Sequence, residues 1–295
     1  MIRLPQMHVE LALDVKADLG EGPIWDARLG RLLFLDIMRG EVHTFDPSSL
    51  DHAIFEVGQP VGAVTPTTRG DWVAAARDGF YRVNPATGDT ALFAVVEADR
   101  PDNRMNDGYC DRQGRFFAGT MSMTHQREAG ALYRLDPDGQ VTLLLTGVTT
   151  SNGIDWSLDG RLVYYVDTGT GRIDVFDFDA EHGWLLGRRP LVTIAPEHGK
   201  PDGLIVDAEG FLWLALWGGS ALHRYAPDGT LDRVIPMPVT HPTKCAFGGP
   251  DLADLYVTSA STALSAEERA AQPHAGSLFR LQPGVKGRPA RPFAG

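Results

Sequence analysis

The chain is 295 residues long, with 43% hydrophobic and 22% charged residues and a formal net charge of −11. That is the profile of a globular protein able to bury a large core, as one large all-β unit or as two ordinary domains. The acidic balance, with no Lys/Arg-rich run, argues against nucleic acid or anionic membrane as a partner, since both require clustered bases. Met1 to Leu13 lacks the apolar core and cleavage site of a signal peptide, and no apolar run approaches the roughly 20 residues of a membrane span, so a cytoplasmic location is expected.

In chain order, short runs rich in Val, Leu, Tyr, Phe and Trp alternate with Asp-Gly, Pro-Asp and Asn-Gly turns, and long amphipathic helical patterns are nearly absent. The turns recur. Gly30, Gly70, Gly114, Gly160 and Gly210 are separated by 40, 44, 46 and 50 residues. Each is followed by an apolar strand: Leu32-Leu33-Phe34-Leu35, Trp72-Val73-Ala74-Ala75, Phe116-Phe117-Ala118, Leu162-Val163-Tyr164-Tyr165 and Leu212-Trp213-Leu214-Ala215. A looser sixth unit runs from Thr243 through Leu255-Tyr256-Val257 to Leu278-Phe279-Arg280-Leu281. A period of this length with about four strands per unit indicates an all-β, six-bladed β-propeller, its four-stranded antiparallel blades arranged around a central channel. The units fall near residues 18–58, 59–97, 102–149, 150–195, 199–238 and 241–284, making 1–295 a single domain. Val9 to Val15 is expected to supply the outer strand of the last blade, and Pro283 to Gly295 reads as a loose tail. Cys110 and Cys245, far apart in sequence, read as buried free thiols.

The first strand of each blade lines the channel, so residues at its entrance converge on one mouth. Counting eight back from the turn glycine gives Asn106, Asn152 and Asp202; blade 1 gives Glu21 at nine back, and blade 2 gives Gly62. Four of these five entrances carry oxygen-bearing side chains, a hard donor set suited to calcium, magnesium or manganese and tolerable to zinc or iron. The plain alternative is that the Asn-Gly and Asp-Gly pairs are turns repeated by the fold. Glu21 is poor turn chemistry, and two buried carboxylates at one mouth repel unless a cation or a proton intervenes. Asp107 and Asp155 read as loop-ordering neighbours, and Trp25, Trp72, Trp156 and Trp213 as packing between blades, with Trp217 placed to reach the mouth. No histidine pair has metal-site spacing, and Ser151 and Ser157 lack a nucleophile-elbow motif.

Leu19-Gly20-Glu21-Gly22-Pro23, Arg104-Met105-Asn106-Asp107-Gly108 with Gly119-Thr120-Met121, Ser151-Asn152-Gly153, Pro201-Asp202-Gly203 and Phe247-Gly248-Gly249-Pro250 occur in this order over nearly the whole chain. Together they resemble the SMP-30/gluconolactonase/regucalcin family. The resemblance implies a six-bladed propeller with one divalent metal cation (calcium, zinc, manganese, magnesium or iron) held by Glu21, Asn152 and Asp202. It further implies that Arg104 and Asn106 contact substrate and that Asp202 doubles as general base. Where animal members carry an acidic residue after Gly-Thr-Met, this chain has Ser122-Met123-Thr124, with Thr124 or His125 as stand-ins. The implied activity is hydrolysis of a small sugar lactone to the open aldonic acid. The rival readings are a calcium-binding or protein-interaction propeller without catalysis, and an esterase or phosphotriesterase acting on a non-sugar substrate. Oligomeric state is not legible, although closed propellers are often monomers.

Overall fold

The computed structural model describes residues 8–295. They form six four-stranded antiparallel sheets, the blades of a propeller. The inner strands are Gly20–Asp26, Val61–Pro66, Asn103–Cys110, Ser151–Trp156, Lys200–Val206 and Pro242–Gly248. They are buried at nearly every position, while outer strands such as His52–Glu56 and Thr90–Val95 are largely exposed. An inner strand packs between neighbouring blades on both faces, which is why its apolar residues run almost without alternation.

The core is distributed over the seams between blades. Leu33, Leu35 and Val42 of blade 1 pack with Val61, Val64 and Trp72 of blade 2. Trp25, Leu32 and Phe34 pack with Ala246, Tyr256 and Leu278 of blade 6, joining the last blade to the first. Glu10–Leu13 completes that last blade by pairing with Leu278–Leu281, so the expected closing strand is present. The five turn glycines all have positive φ, between 63° and 102°, where a Cβ is disfavoured. In three of these turns an aspartate at the start accepts from backbone N–H groups inside the turn, as Asp207 does from Glu209 and Phe211 at 2.9 Å each. Asp26 and Asp111 do likewise.

The C-terminal residues depart from expectation. Far from loose, they cross the channel end opposite the strand entrances. Ala208 N donates to Lys286 O at 2.9 Å, Arg288 bonds Val206 O and Asp155, and Phe293 exchanges backbone bonds with Pro66 and Thr68 at 2.9 Å each. Phe293 is fully buried among Ala63, Phe80 and Phe116 at the seam of blades 2 and 3. The sequence reading missed this because Pro, Gly and Arg at 283–292 carry no strand or helix periodicity, and the segment's order comes from the surface it lies on. Cys110 and Cys245 are both buried and free.

Candidate active site at the channel mouth

Each inner strand breaks register with its partner near its entrance: between Glu21 and Ile24, Val61 and Ala63, Met105 and Gly108, Ser151 and Ile154, Pro201 and Leu204, and Pro242 and Lys244. A bulge puts two residues opposite one, bends the strand and re-aims its side chains. The breaks fall at the entrance positions counted from the turns, so the same local distortion on successive blades turns Glu21, Asn106, Asn152 and Asp202 inward. The crowding it creates explains the glycines that follow. A Cβ on Gly153 would lie 2.3 Å from Leu204 N, and one on Gly203 would lie 2.3 Å from the Lys244 Cγ.

Glu21, Arg104, Asn106, Asn152 and Asp202 line one cavity of about 480 Å³. All five are buried. Asn152 Nδ2 donates to Thr168 Oγ1 at 3.0 Å, and the Thr168 hydroxyl donates to Pro201 O at 2.8 Å, which orients the amide. Asn152 Oδ1 is then buried with no hydrogen-bond partner. Arg104 Nη1 donates to Met105 O at 2.9 Å and to Asn106 Oδ1 at 2.7 Å, and Asn106 Nδ2 donates to Ser151 O at 2.8 Å. Asn106 thus spends both ends of its amide on orienting Arg104 and tying blade 3 to blade 4.

The electrostatics are those of two carboxylates held out of water. Burial and then the neighbouring Asp107 push the Glu21 carboxyl up to about 8, against the opposing pull of Lys244 and Arg104. Burial, then Glu21 and Asp107, raise Asp202 well above the usual carboxylate range, with Asn152 and Lys244 opposing. Burial lowers Arg104 to about 10 despite both acids. Among the described residues no group of three or more His, Cys, Asp or Glu side chains is arranged to hold a metal; this cluster offers two carboxylates and an amide oxygen.

Around these polar groups the cavity is also lined by apolar Met38, Met121, Met123 and Trp217 and by Lys200 and His125. Trp217 lines the cavity, so it does reach the mouth, and its ring stacks on His241 at 4.2 Å. Of the two stand-ins after Gly-Thr-Met, His125 lines the cavity, whereas Thr124 turns to a hydrogen bond with Ser122 at 2.8 Å. Two features escaped sequence reading. Thr168 arrives from the loop after the second strand of blade 4, outside the entrance register. Asp107 does more than order its own loop, because its Oδ1 also receives the buried Lys244 ammonium from blade 6. The sequence places Lys244 at the sixth blade's entrance, but nothing in it shows that the side chain crosses the channel to Asp107.

The SMP-30/gluconolactonase/LRE-like region model matches residues 19–261. The chain belongs to that family. It is 36% identical to regucalcin of Xenopus laevis over 99% of this chain and 100% of that protein. It is also 36% identical to YvrE of Bacillus subtilis (strain 168), named as a candidate sugar lactone lactonase, over 98% of this chain and 99% of that one. Among solved structures, a calcium-binding regucalcin from Agrobacterium tumefaciens superposes with a TM-score of 0.93 at 31% identity, covering 97% of both chains. Family membership and the ring of blades agree, and the SMP-30/gluconolactonase match spans five of the six blades in full.

Proposed function

We propose that the chain is a metal-dependent lactonase that hydrolyses a sugar-acid lactone, of the gluconolactone or pentonolactone kind, to the open aldonic acid. The observation that carries this reading is the convergence of two desolvated carboxylates, Glu21 and Asp202, with the unpartnered Asn152 Oδ1 in one cavity. The likeness to YvrE supports the lactone part. The donors fit a divalent cation: all are oxygen, the amide oxygen lacks a proton donor, and the two carboxylates repel without a compensating charge. Glu21, Asn152 and Asp202 would hold the ion, which supplies a Lewis acid for the lactone carbonyl.

This chain's own groups do the rest. The Asp202 carboxylate takes a proton from the attacking water, whose oxygen bonds to the carbonyl carbon. When the ring C–O bond breaks, that proton is at hand for the departing ring oxygen, which leaves as a hydroxyl. Arg104 makes its protein hydrogen bonds through Nη1, which leaves Nε and Nη2 as a fork of donors for a substrate's oxygens. Met38, Met121, Met123 and Trp217 offer the apolar surface against which a lactone ring's C–H face would pack.

The test is turnover by chelator-treated protein on gluconolactone and pentonolactones, followed by pH drift, with calcium, zinc, manganese, magnesium or iron(II) added back. Restoration by at least one metal above the spontaneous rate is expected. Metal uptake with no rate above background on any lactone would refute the catalytic reading and leave a calcium-binding propeller, the property named for the Agrobacterium relative.

A further inference from the structure

The layer just below the cavity differs from blade to blade. One residue past the entrance position stand Gly22, Ala63, Asp107, Gly153, Gly203 and Lys244 in blades 1 to 6. Four blades leave this layer to a hydrogen or a methyl group, and only blades 3 and 6 fill it. In a ring of six these two face each other across the axis, and their side chains meet there: Lys244 Nζ pairs with Asp107 Oδ1. Both are buried, with Lys244 and Asp107 each 2% exposed. The lysine stem fills the space above Gly203, next to Asp202, and its ammonium lies 6.0 Å from the Tyr109 ring centre on the far blade. Asp107 Oδ1 also accepts from Gly108 N at 2.6 Å, while its Oδ2 is buried without any partner. Asp107 and Lys244 are also among the charges that act on both Glu21 and Asp202.

We propose that Lys244 is a positioning residue that holds Asp107 as the floor of the centre and withholds it from the cation, so that the metal is bound by two carboxylates and an amide instead of three carboxylates and an amide. The inference rests on the reading of Glu21, Asn152 and Asp202 as the metal-holding set. Its physical content is a charge count. Ligand charge tunes the affinity of oxygen sites over orders of magnitude, and a centre that must polarise a carbonyl gains from keeping a net positive charge at the ion. An unrestrained Asp107 carboxylate has an oxygen to offer and lies close enough to repel both acids. Paired with Lys244, it adds no net charge below the ion. The metal-facing carboxylates then stay at two.

The experiment is calorimetric titration of calcium and of zinc into the chelator-treated full chain and into three variants, with melting temperatures recorded alongside. Lys244→Met frees Asp107 and removes a cation, and it should tighten binding by about tenfold or more. Asp107→Asn leaves the ammonium unneutralised under the ion and should weaken binding by about as much. The double variant Lys244→Met/Asp107→Asn should return to within about threefold of wild type, since the removed charges cancel. Both single variants lose the same ion pair, so a merely structural role lowers both melting temperatures and moves both affinities in one direction. Affinities that shift the same way, or a Lys244→Met variant that binds no tighter than wild type, would overturn the inference. If Lys244→Met does not fold, Lys244→Gln and the double variant carry the same contrast. Wild-type protein that binds metal but opens no lactone refutes the lactonase reading alone, and wild-type protein that takes up no divalent ion sinks both.

Discussion

The C-terminal segment gives the sharpest test of how the ring is held. Phe293 is fully buried, with its ring 6.1 Å from Phe93 in an edge-on contact and with Ala63, Phe80 and Phe116 around it. Its backbone is tied independently, Phe293 N to Pro66 O and Thr68 N to Phe293 O at 2.9 Å each, and Ala294 N to Gly114 O at 3.0 Å. Phe293→Ala therefore removes the ring while the strap stays in place, and the seam between blades 2 and 3 cannot close over the gap. Such a substitution costs about 3–5 kcal/mol, transfer and cavity together. In a chain of this size that lowers the melting temperature by roughly 5–8 °C. Equilibrium unfolding in urea and a thermal scan, both with Phe293→Leu as the volume-sparing control, read the effect. Because the strap crosses the far end of the channel, metal affinity at 25 °C should not change. A loss under about 1 kcal/mol would show that the strap rests on the ring without bracing it, and a change in metal affinity would show that the two ends of the channel are coupled.

Three further outcomes follow from the same geometry. Asp202→Ala should remove both a ligand and the base, lowering lactone turnover by at least about 10²–10⁴-fold and abolishing metal uptake; full activity in steady-state assays would take Asp202 out of the mechanism. In metal-free protein the Glu21 carboxyl is raised from 4.5 to about 8, so the folded state holds a proton that the unfolded chain releases. The stability that this proton supports is present below pH 4.5 and is lost as pH rises through about 8. Added calcium should accordingly raise the melting temperature more at pH 8 than at pH 5.5, and an equal gain at both would contradict a proton held on Glu21 in the metal-free fold. His43 lies between Phe34, at 4.7 Å between ring centres, and His52, at 2.9 Å between ring nitrogens, and burial lowers its pKa from 6.5 to about 4. Its neutral form is the one the fold accepts, so stability is full above pH 6.5 and falls toward pH 4 by on the order of 3 kcal/mol. His43→Gln should flatten that window in urea titrations, and an unaltered slope would assign the acid sensitivity elsewhere.

What could be read from the sequence was whatever the repeat imposes on each blade. Turn glycines at 30, 70, 114, 160 and 210 set a register, and that register led to Glu21, Asn106, Asn152 and Asp202, because the bulge that turns them inward lies a near-constant distance before each turn. What could not be read arises where the repeat is broken. Thr168 orients Asn152 from a loop after the second strand, where chain order says nothing about the channel. The final residues acquire order only from the surface that the blades assemble, with partners such as Ala208, Leu252, Pro66 and Gly114. Lys244 is the most instructive case. Its place at the sixth blade's entrance was legible, but its residue type is rarely expected in a buried layer, and its partner lies 137 positions away. Its neighbours nevertheless carried a trace of it. Gly203, which reads in the sequence as turn chemistry beside Asp202, leaves the space that the Lys244 stem occupies. At Gly203 the missing Cβ therefore marks the volume that the next blade's side chain fills, and that side chain is a lysine paired with an aspartate across the channel.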